Sequence, residues 1–415
     1  MRETRGLEIA ARMRVVRDGP LWSVPSTTGV GKYRVDPTTP SCSCEDFATT
    51  GRPCKHVYAV RFVMEREAGK HIPDSPARAD EPVRSSRPTY KQNWPAYVKA
   101  QRTERDRFQV LLADLCRGVE EPPRAKTGRK PVPLADAVFA CCFKVWAGLS
   151  ARRFDCDLRD ATEAGHLSRP LHPHKISALM ENPALTPVLK QLVEVSSQPL
   201  AAVEVDFAVD STGFAGSRFA RWFDHKHGTV KTKQEWVKLQ AMVGVRTNVI
   251  TAVEVLEQDG ADSPFLPGLV ERTAANGFRI AEVSADKGYS TVEAHEVVAR
   301  HGGIPFIAFK RVATGWSGGL YAKMLGYFQY RRQEFLQHYH KRSNVEATFS
   351  ALKRKFGDSL RSKTKAAMLN EVLCKCVCFN VSVLIHEQEE LGIGAEFWGA
   401  AEECSAAILQ FPSAR

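Results

Sequence analysis

The spacing of apolar residues changes character twice along the chain. In the first 75 residues, short alternating runs (LWSVPS, KYRV) predict β-strands around a cysteine cluster, and HVYAVRFVMEREAG then follows a helical period. PDSPARADEPVRSSRP has prolines and charges without any apolar period, which predicts a flexible linker over 76–88. Between 89 and 200 helical patterns alternate with proline-rich breaks: RTERDRFQVLLADLCRG, PLADAVFACCFKVWAGLS and SALMENPALTPVLKQLVEV. From 201 to 390 the runs turn β-like (AAVEVDFAVD, WVKLQAMVGV, VITAVEVLE, RIAEVSA, IPFIAF), with helical stretches between and after them. This is the signature of a mixed α/β domain. The tail, 391–415, carries no pattern to interpret.

Composition narrows the classes. A chain of 415 residues with 43% hydrophobic content supports two or three packed domains. Lys and Arg outnumber Asp and Glu by 58 to 47, for a net charge of +11, which favours a polyanionic partner; a solvated basic surface is the alternative. No run of eighteen apolar residues occurs and the opening MRETRGLEIAARMRVVRDG lacks a secretory apolar stretch, so a cytoplasmic, nucleoid-associated protein with no membrane contact is expected. Eleven cysteines without a secretion signal point to reduced thiols or metal ligands rather than disulfides.

Four of the candidate ligands are tightly spaced. Cys42 and Cys44 form CxC, Cys54 and His56 form CxH, and the two pairs flank a short polar loop. Three thiolates and an imidazole close a tetrahedral zinc shell with no position left for a substrate, which is a structural site. The segment YRVDPTTPSCSCEDFATTGRPCKHVYAV resembles the SWIM zinc finger, so 1–75 is expected to be a SWIM-type module; the resemblance implies a role in binding DNA or protein. The HxH pairs His172/His174 and His225/His227 lack cysteine or acidic partners at ligand spacing and read as polar surface.

Three acids in the second half carry different chemistry. Asp210 lies in VDSTGF, Asp286 in SADKGYS and Glu346 in YHKRSNVEATFSALK. Hard divalent cations about 4 Å apart, held by carboxylates, activate the attacking oxygen and neutralise the leaving oxygen of a phosphodiester. Each acid has a plainer reading. Asp206 is four residues before Asp210 and, by strand alternation, on the same face; Asp-Lys-Gly is ordinary turn chemistry; Ser343-x-x-Glu346 fits a capping box. On a continuous helix at ~100° per residue, Tyr339, Arg342, Glu346 and Lys353 share an arc of roughly 60°, beside an apolar stripe of Val345, Phe349, Leu352 and Phe356. If the helix begins only at Asn344, Tyr339 and Arg342 fall outside it.

YHKRSNVEATFSALK matches YxxRxxxExxxxxxK, and with DSTGF and ADKGYS in the same order it resembles the DDE transposases of bacterial and archaeal insertion sequences over roughly 125–390. The resemblance implies a ribonuclease-H-like, five-stranded mixed sheet, with Asp210 on its first strand, Asp286 just after the fourth and Glu346 on a later helix. It also implies two catalytic Mg²⁺ or Mn²⁺ ions on the three acids, cleavage at transposon ends with strand transfer into target DNA, and a homodimer bridging two ends. A SWIM finger is a departure from the simplest members. Arg342 and Lys353 would bind phosphate oxygens, and Tyr339 would position the backbone or the attacking water.

Further contacts to double-stranded DNA are written less sharply. RFARWFDHKHGTVKTKQEWVK interleaves six Lys and Arg with Trp222, Phe223 and Trp236, KRKFGDSLRSK places Arg361 and Lys363 beyond Glu346, and PRAKTGRKP is a basic linker. The helical region, 89–200, is the expected end-binding domain, through a helix-turn-helix. Two other functions fit the same residues: a ribonuclease-H-like nuclease that cuts without joining, and a non-catalytic zinc-finger protein that only binds DNA.

Overall fold

The computed structural model describes residues 2–26, 31–70, 93–121, 131–216, 236–256 and 260–398. The expected linker, nearly all of PRAKTGRKP, most of the basic aromatic run with His225 and His227, and the end of the tail lie outside the described residues. The chain divides into two compact units, Met1–Arg84 and Ser85–Arg415.

In the first unit, α1 (Arg2–Arg12) precedes strands β1 (Val16–Asp18), β2 (Leu21–Pro25), β3 (Lys32–Asp36) and β4 (Ser41–Cys42), then helices α2 (Glu45–Thr50) and α3 (Lys55–Glu67). The strands form an antiparallel sheet in sequence order. Strand alternation puts Trp22 and Val24 on one face, where they meet Val35, Ile9 of α1 and Val57 and Val60 of α3. The first helix, which the sequence patterns do not announce, approaches α3 closely at Gly6. A Cβ there would lie 2.5 Å from Cβ of Tyr58, so only glycine fits.

The second unit begins with α4 (Trp94–Arg117), α5 (Leu134–Ala147), α6 (Phe154–Glu163), α7 (Pro173–Met180) and α8 (Leu185–Ser197). The run SALMENPALTPVLKQLVEV becomes two helices, because Pro183 cannot continue α7. His172 caps α7 by accepting from the His174 N–H at 3.4 Å. Strands β5 (Asp206–Ala215), β6 (Trp236–Gly244), β7 (Ile250–Leu256), β8 (Glu282–Ala285) and β9 (Ile304–Ile307) follow, with α9 (Phe265–Ala275) and α10 (Val292–Arg300) between them. After the strands come α11 (Gly319–Tyr330), α12 (Arg332–Tyr339), α13 (Ser343–Phe356) and α14 (Lys365–Leu391).

The sheet order is β7-β6-β5-β8-β9. β5 is antiparallel to β6 and parallel to β8, and β8 is parallel to β9. This is the five-stranded mixed sheet that the ribonuclease-H-like expectation required. Alternation along β5 sends Phe207 and Val209 to one core, shared with α9 and α10, and Ala208 and Phe214 to the other. That second core also holds Val345, Phe349 and Leu352 of α13, most of α14, and the buried faces of α4, α5 and α8. The helical stretch expected to stand as its own domain thus shares one hydrophobic core with the sheet.

Two features of α14 follow from its central place. Its apolar window is long enough to cross a membrane, yet 89% of it is buried inside the unit, as in a core helix. Asn380, in its middle, accepts from the Ile250 N–H at 2.9 Å and donates to the Ile250 carbonyl at 2.7 Å, so β7 keeps its backbone paired on that side.

Candidate zinc centre and acidic cleft

The cysteine cluster is assembled from three elements. Cys42 ends β4, Cys44 and Cys54 occupy the N-cap positions of α2 and α3, and His56 lies in the first turn of α3. Helix N-termini carry partial positive charge, a favourable place for thiolates. All four donors are buried and lie within 4.8 Å of one another. His56 Nδ1 is 3.7 Å from Cys42 Sγ and 3.8 Å from Cys54 Sγ. Bond lengths of about 2.3 Å to sulfur and 2.0 Å to nitrogen, set tetrahedrally, require donor separations of roughly 3.5 Å. The set fits Zn²⁺ with all four positions filled by protein.

The charges fit as well. Hydrogen bonding from Cys42 pulls the Cys54 thiol down to about 3, the same bond pushes Cys42 up, and burial pushes Cys44 up. Buried thiols this close disfavour ionisation of more than one among them, and a bound Zn²⁺ would stabilise the thiolates. Tyr33 stacks on the imidazole, centroids 4.4 Å apart, and holds the ring in place.

The acids meet where β5 loses a neighbour. Along one edge β5 pairs with β6 from Phe207 to Ala215. Along the other it pairs with β8 only as far as Val209, opposite Ala285, and is next engaged at Ala215 by Ser359. Asp210 is the first residue of the open interval and Asp286 the first after β8, so the parallel register brings them side by side. The strand continues five residues past Asp210, so the acid lies mid-strand although the β-like run AAVEVDFAVD ends on it. The neighbour after β8 ends, not the strand itself, makes the cleft. A Cβ on Gly213 would lie 3.0 Å from the Trp236 ring, which crosses there.

Glu346 arrives from α13, on the face of the sheet to which alternation directs Asp210. Arg342 joins the two, with Nη1 donating to Asp210 Oδ2 and Nη2 to Glu346 Oε1, both at 2.7 Å. The capping-box alternative does not form. Ser343 is already helical, Arg342 before it is in a 3-10 turn running from α12, and the Glu346 carboxylate takes the guanidinium. Tyr339, at the end of α12, lies against Arg342, whose guanidinium carbon is 6.0 Å from the ring centre. Burial raises the Asp210 carboxyl, and the Asp286 and Glu346 charges raise it further, against the Ser211 N–H and Arg342. The side chain of Glu346 is 54% exposed and that of Asp210 20%, so the cleft faces solvent, unlike the sealed cysteine cluster.

Lys353 stands apart from this group. It is seven residues beyond Glu346, about 10 Å of helix, with Nζ 5.2 Å from the Phe214 ring centre. Asp206 is also resolved from Asp210: it pairs with Lys341 at 2.7 Å, and Lys341 reaches Glu282 at 2.7 Å. His338 holds the same Glu282 at 2.8 Å while stacking on Phe306. These three contacts fasten the turn that carries Arg342 to the sheet.

Other residues near the cleft escape the motif reading. Tyr289 of ADKGYS is buried and donates to Gln240, which in turn donates to Asp262. Lys238 meets Asp262 at 2.7 Å. Burial, and then the charges of Asp262 and Asp210, push the Tyr289 phenol up. This polar chain holds the turn after Asp286 against β6. Its only sequence signal is a glutamine inside an apolar strand.

A five-stranded mixed sheet with carboxylates converging at its interrupted edge stands in one chain with a Cys₃His cluster, the frame of an α/β domain with a zinc-binding module. Residues 202–381 match the family model described as transposase DDE domain, and residues 30–60 match that of the SWIM zinc finger. Residues 202–381 are therefore similar to the transposase DDE domain and residues 30–60 to the SWIM finger, the two resemblances that the motifs carry.

Proposed function

We propose that the protein cuts DNA at transposon ends and transfers the freed strands into target DNA, with Asp210, Asp286 and Glu346 as the catalytic acids. The observation that supports this most is the meeting of all three, with Arg342, at the open interval of β5. Their oxygens are hard donors on a solvent-facing cleft and suit Mg²⁺ or Mn²⁺, which when bound supplies Lewis-acid stabilisation of the attacking and leaving oxygens.

The chain's own residues do the positioning. Arg342 offers a planar fork that serves phosphate oxygens as well as carboxylates, so a scissile phosphate in the cleft competes for it. Tyr339 supports the guanidinium and orients the backbone or the attacking water. Lys353, at the far end of β5, meets the strand beyond the cleaved bond. The region 89–200 carries the contact to transposon ends, and two copies of the chain bridge a pair of ends.

Asp210→Asn, in the purified full-length chain with Mg²⁺ and the element's terminal DNA, is expected to lose both cleavage and joining. The loss should be on the order of 10⁴-fold, the scale for removing one catalytic acid, with zinc content unchanged. Undiminished joining by this variant overturns the assignment. Cleavage without any joined product in the unmodified protein would instead identify a nuclease.

A further inference from the structure

A cavity of about 580 Å³ opens beyond the helix that carries Glu346. Its walls are the end of α5, one face of α7, the end of α13, the segment 361–363 and the first turns of α14. Ala367, Glu371 and Lys375 line it from α14 at helical spacing.

Its charge is one-sided. Lys144, Lys355, Arg361, Lys363 and Lys375 face it, against Glu181 and Glu371. Glu371 is committed to the backbone, accepting from the N–H of Arg361 at 3.0 Å and of Ser362 at 2.8 Å. Lys355 is paired with Glu104. The buried Lys375 donates to the carbonyls of Gly357 and Ser359, both at 3.0 Å, and Arg361 to that of Gly148 at 2.5 Å. Neutral carbonyls orient Arg361 and Lys375, and Glu371, 3.8 Å from the Lys375 ammonium, offsets that one charge. Lys363 is exposed and has no acidic partner among the described residues. Burial, and then the charge of Arg361, push the Lys144 ammonium down; burial lowers Lys375, with Arg361 adding to it against Glu371. The cations repel one another across the space, and an anion between them relieves that repulsion.

Position selects the anion. From Glu346 to Gly357 the helix spans about 16 Å, the length of roughly five base pairs at 3.4 Å each. We propose that this cavity is a second DNA subsite, in which Lys144, Arg361 and Lys363 hold a backbone phosphodiester of the strand whose scissile bond lies at Asp210 and Glu346. The subsite rests on the DNA-cleaving reading above.

Lysine acetylation mapped by mass spectrometry tests it, on the full zinc-loaded chain with Ca²⁺ and a mixed-sequence DNA duplex. Lys363 and Lys144 should be several-fold less modified when DNA is bound. Lys363→Gln, on an exposed side chain, should lower the salt slope of DNA binding by about 0.9, one phosphate contact. Lys363 modified equally with and without bound DNA, or an unchanged slope in both Lys363→Gln and Lys144→Gln, overturns the subsite. Equal protection by inorganic phosphate alone would make it a free-anion site and also overturns it. A chain that binds no DNA at all defeats the proposed function, and the subsite with it.

Discussion

The two donor clusters solve opposite problems. Cys42, Cys44, Cys54 and His56 are buried and mutually within 4.8 Å, whereas Asp210 and Glu346 are bridged by Arg342 at 2.7 Å each and face solvent. A site with every position filled by protein has no room for a substrate, so its cation can only hold a fold together. A solvent-facing site whose acids are held by a guanidinium would, on the proposed function, admit both cation and phosphate in its place. The first is preassembled by a hairpin and two helix starts, the second by a strand, a turn and a helix far apart in the chain.

The largest effect that separates them should come from zinc removal. Structural zinc contributes apparent free energies of about 10–16 kcal/mol in small modules, and the core of the first unit is small. Cys54→Ser, or a strong chelator, should therefore unfold residues 1–70 while the second unit keeps its melting transition. Limited proteolysis resolves the two units, and a first unit still resistant without zinc would break the comparison.

Arg342→Ala sharpens the other half. It frees two carboxylates, so Mn²⁺ affinity without DNA should rise roughly tenfold, in line with the 1.5–3 kcal/mol of a charged hydrogen bond. DNA affinity should fall. Electron paramagnetic resonance of Mn²⁺ reads the first and fluorescence anisotropy the second. Weaker Mn²⁺ binding would show that Arg342 organises the acids rather than competing for them.

The smallest effect concerns the contacts that place Arg342. Burial raises the Glu282 carboxyl, but Lys341 and His338 outweigh it and hold it below its ordinary 4.5. A carboxylate with a lowered folded value contributes stability above pH 4.5, and the contribution is lost as pH falls through that lower value. Glu282→Gln should cost about 1.5 kcal/mol near neutral pH and flatten the acid limb of the stability profile. Thermal melts between pH 3 and 7 measure both. An unchanged limb would assign the acid sensitivity elsewhere.

Much of the molecule is legible in its residue pattern. The β-like runs map onto β5 to β9, and the CxC and CxH pairs onto one cluster, because strand alternation and short ligand spacing are local properties. The first helix is not legible in this way, since its burial depends on Gly6 meeting Tyr58. Asp206 and Asp210 are inseparable in sequence because they share a face. Lys341 separates them, taking Asp206 and leaving Asp210 to Arg342. The cap alternative for Glu346 fails for a similar reason: the backbone enters α13 already helical.

The sequence by itself determined the two family resemblances, the α/β class, the order of the acids and the Cys/His cluster, since each is written in residue types at short or ordered spacing. Tertiary structure alone decided that β8 stops at Ala285 and opens the edge of β5 beside Asp210. It also decided that Arg342 spans two acids 136 residues apart (210 to 346) and that Lys144 shares a cavity with Lys363. Those relations depend on sheet register and helix packing, which join residues whose separation along the chain carries no periodic signal.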